Sequence, residues 1–258
     1  MDDGISGKRL LCSWSGGKDS CLALWRAVRG GGCPDCLLTM LGEEGRVSRS
    51  HGLPRNLLEA QAARMGIPIA FRSASWPAYE AEFSGALREF RNRGITAAVF
   101  GDIDGEDHRG WCRRVCAGAG LAAEHPLWRE PRRRLLEEFL AAGFAATIVV
   151  VAENRLGREW IGRVIDADAI SGLEQAGVDP SGEAGEYHTA VTGGPLFRCA
   201  LGLPPPAPAF HEGYWFYRSP ADWPAEFPGP KSPADGQGPA QAHSPAPRRG
   251  TETERKPS

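Results

Sequence analysis

The sequence predicts an α/β protein built on a parallel sheet, followed by a smaller α/β unit. Three observations carry this. Short β-rich runs alternate with amphipathic helical stretches over the first half of the chain, which is the pattern of βαβ units. Gly30, Gly66 and Gly94 stand where those helices should stop, as helix C-termini favour. A glycine-rich break separates the first strand from the first helix, at the place where open parallel sheets bind their ligands.

The strand candidates are "RLLCSW", "CLLTML", "IPIAF" and "AAVFGD", and the helices between them are "SCLALWRAV", "LPRNLLEAQAARMG" and "AEFSGALREFRNRG". Together they assign residues 8–126 to a first domain. A second domain, 127–223, opens with the helix "RRRLLEEFLAAG" and the strand "AATIVVVA", then turns rich in Gly, Glu and Asp. From Pro224 onward prolines abound and large apolar residues are scarce. Such a stretch cannot bury enough surface to offset its ordering entropy, so residues 224–258 are expected to form a disordered tail.

A hydrophobic content of 41% with 24% charged residues is ordinary for a soluble globular chain of 258 residues. No apolar run approaches a bilayer span, and the start "MDDGISGKRL" lacks the features of a signal peptide. The expected compartment is the cytoplasm, with no membrane partner. A net charge of -2 leaves no electrostatic footprint for nucleic acid, and "PRRR" at Pro131 to Arg134 reads as a solvated helix start. Seven cysteines, an odd number scattered through apolar segments, imply reduced thiols. The pair Cys33 and Cys36 in "CPDC" precedes the second strand, at the edge away from the ligand side, and lacks the further ligands of a zinc site. Cys112 and Cys116 share a helix face at i,i+4 and lie nearer that side.

The break itself, "SGGKDS" from Ser15 to Ser20, reads as a phosphate site. Gly16 and Gly17 let the backbone approach an anion, and the amides at the helix N-terminus point towards it. Ser15 and Ser20 add hydroxyls, Lys18 a cation, and Asp19 a carboxylate able to hold magnesium, with the Lys18 and Asp19 side chains expected to face solvent and phosphate rather than the core. Gly101 and Asp102 follow the strand "AAVF" and emerge on the same sheet edge, where the carboxylate can bind magnesium or orient a nucleophile. His51 follows the second strand and is a candidate nucleotide or substrate contact; Trp111 either lines the cleft or packs beneath it.

This loop is neither GxxxxGK[ST] nor GxGxxG. It resembles the pyrophosphate loop of the N-type ATP pyrophosphatases. "GDIDGEDHRGWCRRVCAGAGLAAEHPLW" (101–128), "LGREWIGRVID" (156–166), "GVDPSGEAGEYHTAVTGGPLF" (177–197) and, more weakly, "RSHG" (49–52) are similar, in order, to the diphthine–ammonia ligase family. The resemblance implies a Rossmann-like (HUP-type) parallel sheet with helices on both faces and a smaller C-terminal α/β domain, with the site between them. It also implies ATP and Mg2+ as cofactors. The loop would hold the β- and γ-phosphates while a substrate carboxylate attacks the α-phosphorus, releasing pyrophosphate, and ammonia would then displace AMP. A homodimer stays open.

Within "GEYHT", Glu186 and His188 straddle Tyr187. If the stretch is extended they share a face, a pair suited to binding ammonia or moving its proton. Glu183 is a further candidate. Family members commonly carry Cys and Asn near Ser181 and Ala184, so this pocket differs from theirs and holds no thiol there. Lysine occurs only at positions 8, 18, 231 and 256 in an Arg-, Ala- and Gly-rich chain, as a G+C-rich bacterial genome would give. Diphthamide belongs to archaeal and eukaryotic elongation factor 2, so a bacterial host implies another substrate. Two rival readings use the same loop: a pyrophosphatase that thiolates transfer RNA, and an ATP-binding sensor without turnover.

Overall fold

Five parallel strands form the first sheet in the computed structural model of the chain, which describes residues 4–218. The expected tail lies outside the described residues. β1 (Arg9–Ser13), β2 (Cys33–Leu41), β3 (Ile69–Ser73), β4 (Ala97–Val99) and β5 (Ala122–Glu124) alternate with α1 (Lys18–Arg29), α2 (Arg55–Met65), α3 (Tyr79–Asn92) and α4 (Glu106–Gly118). The spatial order is β3-β2-β1-β4-β5, which puts the reversal of strand order between β1 and β4. That reversal opens the crevice in which doubly wound sheets take their ligands.

The strands are apolar on both faces because helices cover both. Leu10, Cys12, Leu37, Leu41 and Val99 pack on the side of α1 and α2, whereas Leu11, Leu38, Met40, Ala98 and Phe100 pack on the side of α3 and α4. Gly66 ends α2 with φ 69°, the left-handed cap that glycine supplies. Two details differ from the sequence reading. Cys33 and Cys36 do not precede β2 but lie within it, and Cys33 pairs with Arg9 at the start of β1, at the edge away from the crevice. β5 was not anticipated, because "AAE" carries no β-branched or aromatic residue to mark it.

The second unit contains α5 (Arg132–Ala141), β6 (Ala145–Ala152), α6 (Ala167–Gln175), β7 (Tyr187–Gly193), β8 (Ala209–His211) and β9 (Tyr214–Phe216). Its four strands run β7-β6-β9-β8, and every pairing is antiparallel. The apolar core on the α1 and α2 side of the first sheet continues without interruption through Leu136 and Phe139 of α5 to Ile148 and Val150 of β6. β7 is an edge strand, and an edge needs a partner for its backbone groups. Here the partner is the Ser15–Ser20 loop: Val191 donates its amide to the Gly16 carbonyl at 2.9 Å.

Candidate active site

The loop is held open by its own glycines and braced by one buried side chain. Gly16 has φ +83°, which L residues avoid, and a Cβ there would lie 2.6–2.9 Å from Leu53, Leu58 and Gln61. Gln61, fully buried in α2, accepts from Trp14 Nε1 at 3.0 Å and donates from Nε2 to the carbonyls of Gly16 (2.9 Å) and Val191 (2.8 Å). One amide group thus ties β1, the loop, α2 and β7 together. The sequence reading missed it. The available signal was a glutamine among the apolar positions Leu57, Leu58, Ala62 and Met65 of an amphipathic helix.

The first amides of α1 have no intrahelical acceptor. Gly17 donates to Ser15 Oγ (3.3 Å) and Lys18 to Thr189 Oγ1 of β7 (3.1 Å). Those of Asp19 and Ser20 have no protein acceptor among the described residues, and they are the pair an anion can use. Ser15 and Ser20 hydroxyls pair at 3.0 Å. Gly101 lies directly against this turn: a Cβ on it would sit 2.8 Å from Ser20 N and 2.9 Å from the Asp19 carbonyl carbon. The strand β4 therefore approaches α1 as closely as only glycine permits.

Lys18 is buried rather than facing solvent, as the sequence reading had it; its side chain is 8% exposed. Nζ donates to Asp19 Oδ2 at 2.8 Å, stands 3.8 Å from Glu183 Oε1 and lies 5.8 Å from the Tyr187 ring centre. Burial pulls its pKa down, but Asp19, Tyr187 and Glu183 outweigh burial and raise it, so the ammonium keeps its charge. Burial and the neighbouring Asp19 carboxylate push Glu183 up to about 7, with Lys18 and Arg132 partly opposing. Arg132 joins through an ion pair to Asp179, whose carboxylate also holds Ser181 by its hydroxyl at 2.7 Å.

Glu186 and His188 are not brought together as a pair. Glu186 is buried, accepts from Ala184 N at 3.0 Å and from Arg155 at 3.3 Å, and so braces the Gly182–Gly185 turn. His188 instead stacks on His51 with ring centres 4.6 Å apart. That stack covers the loop, since a Cβ on Gly17 would lie 2.5 Å from His51 Cε1. Of the two glutamates, the one that approaches Lys18 is Glu183, which the sequence reading ranked below Glu186. Trp111 packs: it donates to Glu80 at 2.9 Å and lies against Tyr79 and Phe83.

Burial, with Lys18 adding to it, holds His51 down at about 4, and burial with His51 as neighbour holds His188 well below the ordinary range. The folded protein therefore resists protons that the unfolded chain accepts near pH 6.5. Stability from this pair is complete above about pH 6.5 and is lost as pH falls towards 4. Melting temperature should drop across that window by about 2–4 °C for each kcal/mol lost. In a His51→Asn, His188→Asn variant the decline should be shallower; an unchanged slope in thermal melts would refute the assignment.

Asp102 emerges past β4 into a different environment from that of Asp19. Its Oδ1 meets His108 Nδ1, its Oδ2 lies 3.4 Å from His125 Nε2, and Cys112 Sγ is 3.9 Å from Oδ2. His125 comes from the unanticipated end of β5, so the sequence could not place it here. Magnesium prefers oxygen donors alone. The donors of the loop, namely Asp19, Glu183 and the Ser15 and Ser20 hydroxyls, fit that preference; the nitrogen and sulfur surroundings of Asp102 do not.

All seven cysteines are free. Cys112 and Cys116 are buried, and the exposed Cys33 lies at the far edge of the sheet. No helix among the described residues is long and apolar enough to cross a membrane.

A solved structure described as a predicted subunit of tRNA methyltransferase from Methanocaldococcus jannaschii aligns with 16% identity and a TM-score of 0.41, covering 72% of this chain and 98% of its own. A diphthine–ammonia ligase of Schizosaccharomyces pombe is 32% identical over 87 residues, which are 33% of this chain and 14% of that protein. The chain thus matches about one seventh of the length of that relative. Residues 8–123 match the diphthamide synthase N-terminal domain and residues 131–218 the diphthamide synthase C-terminal domain. With both domain families matched in order over most of its length, the chain belongs to the diphthamide synthase family.

Proposed function

We propose that the chain is an ATP-dependent amide ligase that adenylates a carboxylate substrate, releases pyrophosphate and passes ammonia to the activated acyl group. The observation that carries this reading is the anion cradle at the strand-order reversal. Two acceptor-free amides, those of Asp19 and Ser20, sit beside a buried, charged Lys18. Such a cradle suits the β- and γ-phosphates, whose negative charge grows as pyrophosphate leaves. The named relative supports the nitrogen donor and the ligase class.

Within that reading Lys18 neutralises the leaving pyrophosphate and Asp19 holds Lys18 in place. His51 and His188, kept neutral, lie over the loop as hydrogen-bonding groups without charge. So low a pKa makes His188 a poor acceptor for the proton of an ammonium ion. Glu183, at about 7, is better matched to that task and stands on the same side of the loop. Glu186 is a positioning residue for the turn that carries Glu183. Mg2+ would be held by Asp19 and its oxygen-bearing neighbours and would supply charge neutralisation at the phosphates.

Thiolation of transfer RNA fares worse, because the thiols nearest the site are sealed in the core. A sensor without turnover would need only the cradle, and leaves the Glu183–Lys18 pair unexplained. The test is product analysis with ATP labelled at the α-phosphate, in the presence of ammonium and a panel of carboxylic acids. AMP and pyrophosphate are expected, with amide formation falling about 10²–10⁴-fold in Glu183→Gln. ADP and phosphate, or no turnover with any acid, would overturn the reading.

A further inference from the structure

Beside the phosphate loop, three side chains from three elements converge on one point: Asp102 after β4, Cys112 on α4 and His125 after β5. Their ligand atoms all lie within 4.8 Å of one another. We propose that Asp102, Cys112 and His125 form a binding site for a divalent transition metal of the zinc class, distinct from the magnesium expected at the loop.

The geometry fits such an ion. Bond lengths of about 2.0–2.3 Å from zinc to oxygen, nitrogen and sulfur set the edges of a tetrahedron at roughly 3.3–3.7 Å. Asp102 Oδ2 is 3.4 Å from His125 Nε2 and 3.9 Å from Cys112 Sγ, close to two of those edges, and all three ligand atoms lie within 4.8 Å of one another. The chemistry fits as well. One carboxylate, one imidazole and one thiol make the mixed set that selects a borderline metal and rejects magnesium.

A second, independent observation points to a missing ligand. The His125 side chain is 3% exposed, yet its Nε2 has no hydrogen-bond partner among the described residues and faces the Asp102 carboxylate. A buried polar atom left unpaired is costly, and a metal in the triangle removes that cost. The ring is fixed for the purpose by its stack on Phe100 at 5.3 Å. Asp102 is oriented by His108, which takes the other carboxylate oxygen, as outer partners of metal ligands do. Three protein ligands leave the fourth position for water or substrate, the arrangement of catalytic rather than structural zinc. Gly101, the neighbour of Asp102, packs against the Asp19 and Ser20 backbone, so the triangle adjoins the loop.

The proposal does not depend on the ATP reading, and its test uses neither ATP nor turnover. The full chain, stripped with a chelator, is titrated with Co2+ and followed by absorption. One equivalent should bind with a near-ultraviolet thiolate-to-cobalt band; Zn2+ should displace it and excess Mg2+ should not. Cys112→Ser should lose the band, His125→Gln should weaken binding by at least about 10-fold, and Cys33→Ser with Cys36→Ser should change nothing. Circular dichroism reports whether each variant folds. If Cys112→Ser does not fold, the Cys33, Cys36 variant decides by keeping or losing the band. No band in the unmodified chain, a band that survives Cys112→Ser, a band lost with Cys33 and Cys36, or displacement by Mg2+ would each overturn the proposal.

Discussion

Replacing Lys18 by Gln is expected to lower kcat/KM for ATP turnover by about 10²–10³-fold, the usual loss when one preorganised charge-stabilising group is removed. It should also lower stability, which the sequence alone did not suggest. Lys18 is buried between Asp19 and Glu183, so its loss leaves two neighbouring carboxylates without their cation. Breaking a buried ion pair typically costs about 3–5 kcal/mol. Glutamine keeps a donor for Asp19 and should hold the cost near the lower end. Steady-state kinetics and a chemical melt separate the two effects. Normal turnover in a destabilised variant would show that Lys18 is a brace and no part of the phosphate site.

Gly101→Ala should be nearly as damaging although it removes no functional group. The added methyl would meet Ser20 N at 2.8 Å and the Asp19 carbonyl carbon at 2.9 Å. Both are backbone atoms, which cannot swing aside as a side-chain tip can. Either α1 moves off β4, displacing the two free amides, or β4 distorts and carries Asp102 with it. Overpacking of this kind costs about 1–3 kcal/mol. ATP binding, measured by calorimetry, should weaken by at least about 10-fold, whereas Gly85→Ala, on α3 with no atom within 4 Å of the added Cβ, should leave it unchanged. Equal affinity in the two variants would contradict the close approach.

What the sequence made legible was whatever local pattern encodes. The strand, glycine break and helix from Arg9 to Arg29 are contiguous, and periodicity plus turn chemistry placed all three. The emergence of Gly101 and Asp102 on the same edge followed from strand direction alone. Less legible was whatever depends on contacts between distant segments. Gln61 meets Gly16 and Val191 across 45 and 130 positions, and His125 reaches Asp102 only because "AAE" forms a strand that its composition does not announce. The extended condition set for "GEYHT" holds for "YHT". It fails for Glu186 because that residue precedes the strand, in a turn whose own amide claims the carboxylate. Lys18 was expected to face solvent because the closing strand β7 comes from the other end of the chain.

The central claim is that ATP lies with its phosphates on the Ser15–Ser20 loop. The most direct measurement is a crystal structure of the full chain with α,β-methylene ATP, which cannot release pyrophosphate. The account predicts β- and γ-phosphate oxygens within hydrogen-bond distance of the Asp19 and Ser20 amides and of Lys18 Nζ. Phosphates bound elsewhere, with those two amides still without an acceptor, would contradict it.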